Sequence, residues 1–439
     1  MGNYLVNPKS VQKEMLEKIG VPSIDDLFSD IPKELYITDP LNIPEGKSEL
    51  EVKREMQALA SENKVYQTIF RGGGAYRHFI PSVVNHLASR SEFVTAYTPY
   101  QPEISQGTLQ TIFEYQTAIC ELTGLDVSNA SVYDGATAAG EAVLMSMARR
   151  KEKVLVASTS HPDVIGVIKQ YGQSIGFEVE LINAVDHKTS IQHLQELLTD
   201  DVASVFIPQV NYYGKLEDFE GVADLVHGVK AQLIVGIYPI AAALLPSARE
   251  LGADIAVGEG QPLGLPLGFG GPYIGFMATT KKLMRSLPGR IVGIAPDSEG
   301  RRSYVLTLQA REQHIRREKA ISSICSNQSL MATRVAIYCA ALGTTGLQKV
   351  AQASMDLAHY LHAQLKTIKG FYPMEGEFFN EFTVKTDCHP KLFEQLLDQQ
   401  GILSGLPLDN AHSLWCTTEM NTKEEIDQLV EILKGAELC

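Results

Sequence analysis

From residue 153 onward the chain repeats one pattern, a short run that is apolar at nearly every position followed by an amphipathic stretch. The apolar runs are VLVAS (154–158), VELINAV (179–185), ASVFIPQV (203–210) and QLIVGIY (232–238), and the intervening segments predict helices near 163–171, 191–198 and 219–229. A strand without polar alternation has to be covered on both faces, which is the signature of a mostly parallel sheet between helices. Alternation of that kind confines the region to an α/β layer architecture with right-handed crossovers.

The segment after it, DIAVGEGQPLGLPLGFGGPYIGFM (254–277), predicts two further buried strands, 254–257 and 273–277. Their connection holds Gly258, Gly260, Gly264, Gly268, Gly270 and Gly271 with Pro262, Pro266 and Pro272. Glycines allow close approach of backbone to a ligand and prolines stiffen the path, so this connection suits a ligand surface. No lysine stands between Arg249 and Lys281.

A chain of 439 residues with 44% hydrophobic and 21% charged residues has material for a large core, and its length predicts one large domain plus a smaller one. The net charge of −14 sets it against polyanions such as nucleic acid. No apolar run approaches the roughly 20 residues that span a bilayer, and the start has no hydrophobic signal core. The six cysteines, Cys120, Cys325, Cys339, Cys388, Cys416 and Cys439, show neither paired metal-ligand spacing nor a disulfide framework. Together these features predict a soluble, reduced, cytoplasmic protein with no membrane or nucleic-acid partner.

Residues 1–90 read as a helical and extended segment, 91–325 as the large α/β domain, and 326–439 as a small C-terminal α+β domain. In FRGGGAYRHFIP (70–81) a backbone nest flanked by Arg71 and Arg77 could hold an anion, but a glycine run without strand-and-helix context favours the simpler reading, a tight turn with two surface arginines. Tyr97, Tyr100 and Gln101 sit on an irregular, proline-rich approach to a helix, serving either a site or the packing of that entry. The turn Asp134, Gly135, Ala136, Thr137 leads from a strand end into an alanine-rich helix whose free N–H groups would suit a phosphate, or it is a plain strand-to-helix turn. Segments 287–294 and 303–309 flank a hairpin turn, and AREQHIRREKA (310–320) follows with Arg311, His314 and Arg316 in one span. Towards the C-terminus, Thr422 with Glu425 predicts a capping box. His359 and His362 lie three apart on a helix and, without a third ligand, predict surface histidines rather than a metal site.

Four stretches, YTPYQPEISQG (97–107), YQTAICELTGLDVSNASVYDGATAAGEA (115–142), GLPLGFGGP (264–272) and LTLQAREQHIRREKA (306–320), resemble the glycine decarboxylase P-protein family of the glycine cleavage system. The likeness is to the amino-terminal half, which bacteria with a split enzyme make as a separate subunit 1. It implies the fold of type I pyridoxal-phosphate transferases, the aspartate aminotransferase fold, with its large domain and a small C-terminal domain. Aligning the loop through Pro266 and Gly270-Gly271-Pro272 puts Gln261 where active relatives carry the Schiff-base lysine, and an amide has no nucleophilic amine. The aspartate that pairs with the cofactor's ring nitrogen in active relatives would fall near Val235, on a strand without any acid.

The resemblance therefore implies a subunit with no catalytic residue of its own, joined to a lysine-bearing subunit 2 that binds pyridoxal phosphate covalently. Glycine would be the substrate and the lipoylated H-protein would receive the aminomethyl group, in an assembly of two chains of each kind. In this family Tyr97, Tyr100, Gln101, Arg71, Arg77, Arg311 and Arg316 would support the active site or a subunit interface, and Asp134 to Thr137 would be a vestigial phosphate turn. Two alternatives stand beside this reading: an independently active enzyme using Lys281 or Lys282, and a scaffold that has kept only the fold.

Overall fold

A computed structural model of the chain describes residues 6–436 except 38, 148–150, 321, 323 and 325, and the side chain of Arg311 is also outside the described set. The chain divides into two compact units, Met1–Lys64 and Val65–Cys439. The first holds the helices Lys9–Ile19 and Glu49–Ser61, the latter opened by a capping box in which Ser48 and Glu51 satisfy each other's backbone N–H groups. No described side chain in this unit is buried, and the helical stripe Val11, Met15, Ile19 faces solvent.

The second unit is built on a seven-stranded sheet. In chain order its strands are β1 (Val127–Ser128), β2 (Lys153–Ala157), β3 (Glu178–Ile182), β4 (Val202–Pro208), β5 (Gln232–Gly236), β6 (Ile255–Glu259) and β7 (Gly275–Thr279). Across the sheet they run β1-β7-β6-β5-β4-β2-β3. Strands β2 to β6 are parallel, and β7 is antiparallel to both β6 and β1. The predicted parallel core is thus present, closed on one side by antiparallel strands.

Side chains alternate across this sheet with period two, and both sets are buried. The helices that cover it include α1 (Gln106–Thr123), α2 (Gly135–Ser146), α3 (Pro162–Ile175) and α4 (Ser329–Leu365), and the shorter helices Ile191–Leu197 and Val222–Gly228 add Leu194, Val222 and Val226 to its core. Leu233, Val235, Val205 and Ile207 pack in one core with Tyr115 and Ile119 of α1 and Val335 of α4. Ile234, Phe206 and Val257 pack in the other with Ala138, Ala139 and Ala142 of α2 and Ile168 of α3. Each fully buried Val, Leu or Ile contributes about 1.5–3 kcal/mol relative to exposure, so burial on both faces explains why the central strands β4 and β5 are apolar at nearly every position, Ser204 being the buried exception in β4. The helix α4 is long and apolar enough to cross a membrane by length and composition, contrary to the expectation from the sequence. Gly343, at φ 59° and ψ −176°, breaks it into two helices, and Ala332, Val335 and Tyr338 of the first are wholly buried in the core.

The predicted hairpin is β8 (Ile291–Pro296) with β9 (Arg302–Thr307), antiparallel. A second sheet holds β10 (Phe371–Pro373), β11 (Glu381–Thr386), β12 (Leu406–Pro407) and β13 (His412–Cys416) in the order β10-β11-β13-β12. Helices α5 (Pro390–Gln399) and α6 (Lys423–Gly435) pack on it around Trp415, Phe382, Phe393 and Leu429, and the Thr422–Glu425 capping box forms as predicted. His362 departs from its expected surface place: it is buried against Phe378 and Phe382, with Nε2 3.1 Å from the Met374 carbonyl.

Residues 68–81 bridge the two sheets. Thr68 and Ile69 pair in parallel with Ile402 and Leu403, and the Cys416 N–H donates to the Phe70 carbonyl. Cys120, Cys339 and Cys416 are free thiols, and Cys388 is disulfide-bonded, which departs from the fully reduced state expected. Cys325 and Cys439 lie outside the described residues.

Candidate active-site cavity

A cavity of about 500 Å³ opens beyond the carboxyl ends of β4, β5 and β6, where α/β sheets place their ligands. Phe206, Gly236, Tyr238 and Glu259 line it from the sheet, the Asp134 to Ala136 turn and His161 from the helix starts, and Gly73 to Tyr76 from the bridging segment. Glu381 reaches it from β11.

Gln261 lies beside the cavity, 1% exposed, and is absent from its lining. Its Oε1 accepts the Tyr76 N–H at 2.9 Å, while Nε2 donates to the Tyr76 carbonyl at 2.9 Å and the Leu265 carbonyl at 2.8 Å. Both amide hydrogens are thereby used, and the partners dictate which way the amide points. This side chain clips the glycine-rich loop to the bridging segment as a piece of backbone would. A lysine ammonium has no acceptor for the Tyr76 N–H, so it cannot take over this role.

At the start of α2 the Asp134 side chain accepts the Thr137 N–H at 2.8 Å, a regular N-cap. The Gly135 N–H is taken by Glu259, whose Oε2 accepts it at 2.9 Å. Glu259 Oε1 also accepts from the N–H groups of Gln261 at 2.9 Å and Ile274 at 3.2 Å. Burial pushes the Glu259 carboxyl up to about 7, against the lowering effect of these three bonds. Residue 135 has to be glycine here, because a Cβ would stand 2.9 Å from the Glu259 backbone nitrogen.

The glycine nest is filled in the same manner. Gly73 N–H donates to Glu381 Oε1 at 2.6 Å and the Tyr76 hydroxyl donates to Oε2 at 2.7 Å. A Cβ on Gly72 would fall 2.0 Å from Glu381 Oε1, which explains a glycine at that place. Burial raises the Glu381 carboxyl to about 7, opposed by those two donors. Behind it the Tyr76 and Tyr238 rings lie 4.4 Å apart, and His78 links the Tyr238 hydroxyl at 2.6 Å to Glu419 at 2.7 Å. Burial raises the Glu419 carboxyl, but His78 and the Phe79 N–H outweigh it and hold the group below its ordinary value. His161 accepts the Asp163 N–H on Nδ1 at 3.1 Å, so its proton sits on Nε2, 3.0 Å from the Gly73 carbonyl.

The residues singled out in the sequence separate into two groups. Asp134, Gly135 and Ala136 line the cavity, with Thr137 one step into α2. Arg71 and Arg77 turn away from it: Arg71 bonds Glu394 at 2.7 Å and the Ser404 carbonyl at 3.1 Å, and Arg77 bonds the Gln67 carbonyl at 3.1 Å. Tyr97 is 90% exposed, and Gln101 and Arg316 are exposed. The Arg311 side chain lies outside the described residues. Tyr100 hydrogen-bonds the buried Arg290, whose guanidinium lies 4.6 Å from its ring centroid, and the His314 ring is 6.4 Å away. Two of the four family-like stretches therefore meet on one surface, outside the cavity.

Arg290, Glu259, Glu381, Tyr238 and His161 carry this geometry and were not singled out in the sequence. Glu259 had a signal, being the only acid between Asp254 and Asp297, and Arg290 had one as the only charge in LPGRIVGI. The strand-end residue facing the cavity is Gly236, and Val235 points to the opposite face with Leu233. The expected register is thus off by one, since adjacent strand residues face opposite ways. The absence of an acid holds at either position.

Pyridoxal phosphate in this fold needs an amine, a free helix N-terminus and an acid at the ring nitrogen. Here the loop beside the cavity offers the saturated Gln261 amide and no lysine, the Gly135 N–H holds a carboxylate, and the strand ends in glycine. These residues do not fit the cofactor.

The model of the family described as Glycine cleavage system P-protein matches residues 2–433. A protein of Carboxydothermus hydrogenoformans named "Probable glycine dehydrogenase (decarboxylating) subunit 1" is 48% identical over 96% of this chain and 97% of its own length. One of the same name from Desulfitobacterium hafniense is 47% identical over 98% of each. A solved structure of glycine decarboxylase (P-protein) of the glycine cleavage system, in inhibitor-bound form, aligns with TM-score 0.92 and 41% identity over 99% of this chain and 100% of that one. A sphingosine-1-phosphate lyase of Burkholderia pseudomallei, 13% identical with TM-score 0.66 over 92% of this chain and 94% of that one, shares the fold alone.

Proposed function

Since the chain belongs to the glycine cleavage system P-protein family, we infer that it serves as subunit 1 of a two-chain glycine dehydrogenase (decarboxylating), whose subunit 2 brings the lysine and binds pyridoxal phosphate. The observation that carries this reading is the buried, fully bonded Gln261 amide at the lysine position. Glycine is the substrate of the assembled enzyme, and its aminomethyl group passes to the lipoyl arm of the H-protein, with two chains of each kind. A lasting subunit interface buries on the order of 2,000 Å² or more and is rich in apolar side chains. Phe269 at 95%, Tyr97 at 90% and Ile104 at 81% exposure are side chains that such a partner would cover.

In this reading the chain's own residues supply shape rather than chemistry. The Gln261 clip and the Glu381–Tyr76 pair hold the loops rigid, and the Tyr100–Arg290–His314 surface faces subunit 2. Lys281 and Lys282 do not offer a substitute amine. They follow Thr279, which pairs with Ile255 at the start of β6, whereas the cavity lies at Glu259, its end. Four residues of strand separate these points by about 13 Å.

The test is reconstitution with subunit 2. Glycine-dependent release of carbon dioxide should require both chains, and borohydride trapping with peptide mapping should label a lysine only in subunit 2. A labelled lysine in this chain would refute the reading, and so would full activity of subunit 2 alone.

A further inference from the structure

We propose that Glu259 is a built-in replacement for a ligand's phosphate, and that it closes this cavity to phosphate esters independently of the missing lysine. The proposal rests on the reading of this chain as a subunit without its own cofactor and adds what enforces that state. Glu259 takes N–H bonds from three separate segments: Gly135 at the start of α2, Gln261 in the loop after β6, and Ile274 leading into β7. Convergent backbone N–H groups at a helix start are what an oxyanion binds in a phosphate site. Here the oxyanion belongs to the chain.

The rest of the lining points the same way. Among the described residues it includes the carboxyl groups of Asp134, Asp163, Glu259 and Glu381, and no lysine or arginine. A phosphate monoester entering the cavity would face repulsion from Glu259 and would have to displace its three donors. Removing the Glu259 carboxylate does the reverse, freeing three N–H groups while the helix dipole still favours an anion.

The full-length chain is titrated with inorganic phosphate by calorimetry at about pH 8.5, where the Glu259 carboxyl is ionised, as wild type, Glu259→Ala and Glu259→Gln. The Ala variant should bind phosphate about tenfold or more tighter than wild type, the gain of about one charge-assisted hydrogen bond. The Gln variant keeps the bulk but loses the charge and one of the two acceptor oxygens, so its affinity for phosphate should fall between those of wild type and the Ala variant. Equal binding by wild type and the Ala variant overturns the proposal. If the Ala variant gives no cooperative melt in chloride buffer, recovery of the melt in phosphate at equal ionic strength supports the proposal, and failure to recover overturns it. A lysine adduct in the wild-type chain would overturn the subunit reading instead, so the two failures are distinguishable.

Discussion

The segment before residue 65 and the cavity handle their exposed chemistry in opposite ways. Residues 6–64 bury no described side chain, and Val11, Met15, Ile19, Leu35 and Ile43 all face solvent. Around the cavity, by contrast, groups that would be expected to reach for a ligand are turned on the chain itself: Glu259 on Gly135, Glu381 on Gly73 and Tyr76, Gln261 on Tyr76. The contrast is between apolar side chains left to solvent in one unit and polar groups bonded to the chain itself in the other.

A substitution confined to the exposed stripe of the first unit should act on assembly alone. Replacing Val11, Met15 and Ile19 together by serine should raise the Kd for subunit 2 by roughly 100-fold or more, because each buried apolar side chain contributes about 1.5 kcal/mol or more. An unchanged Kd in analytical ultracentrifugation would show that the Val11, Met15, Ile19 stripe is not covered by subunit 2.

The inner side is tested next by Gln261→Lys. It leaves the Tyr76 N–H without an acceptor and puts an ammonium in a buried place, so the variant should lose about 1–3 kcal/mol in urea unfolding. It should also show no aldimine absorption with added pyridoxal phosphate. A stable variant with an aldimine band would show that the site is open.

Glu381 sharpens the point through pH. With its carboxyl raised to about 7 in the folded chain, the folded state binds more protons than the unfolded state between about pH 4.5 and 7, so stability falls as pH rises through that window. Glu381→Gln should flatten this decline in melts taken at pH 5, 6 and 7. An unaltered pH slope would mean that the carboxyl titrates normally.

The smallest effect on stability belongs to Tyr97→Ala. At 90% exposure it should leave the melting of the isolated chain within about 0.5 kcal/mol, yet lower the activity of the complex. Activity equal to wild type would remove Tyr97 from the partner-facing surface.

Legibility in the sequence followed the range of the interactions. Runs such as VLVAS and ASVFIPQV marked buried strands because a side-chain period of two or its absence is a local property, and the Thr422–Glu425 cap was readable because its partners stand three residues apart. The phosphate-like turn and the glycine nest were visible as features able to hold an anion, but their occupants were not. The one-residue error at Val235 arose in the same way, since counting from a neighbouring strand cannot decide which face a residue takes.

What the sequence determined by itself is the layer architecture and the lack of an amine at residue 261, both properties of single positions or short windows. The tertiary structure alone decided what that lack means. Glu381 meets Gly73 across 308 residues of chain, and Gln261 meets Tyr76 across 185. No local pattern encodes such meetings, because they arise only when two sheets and the segment between them are packed together. It is that packing which ties the groups around the cavity to one another.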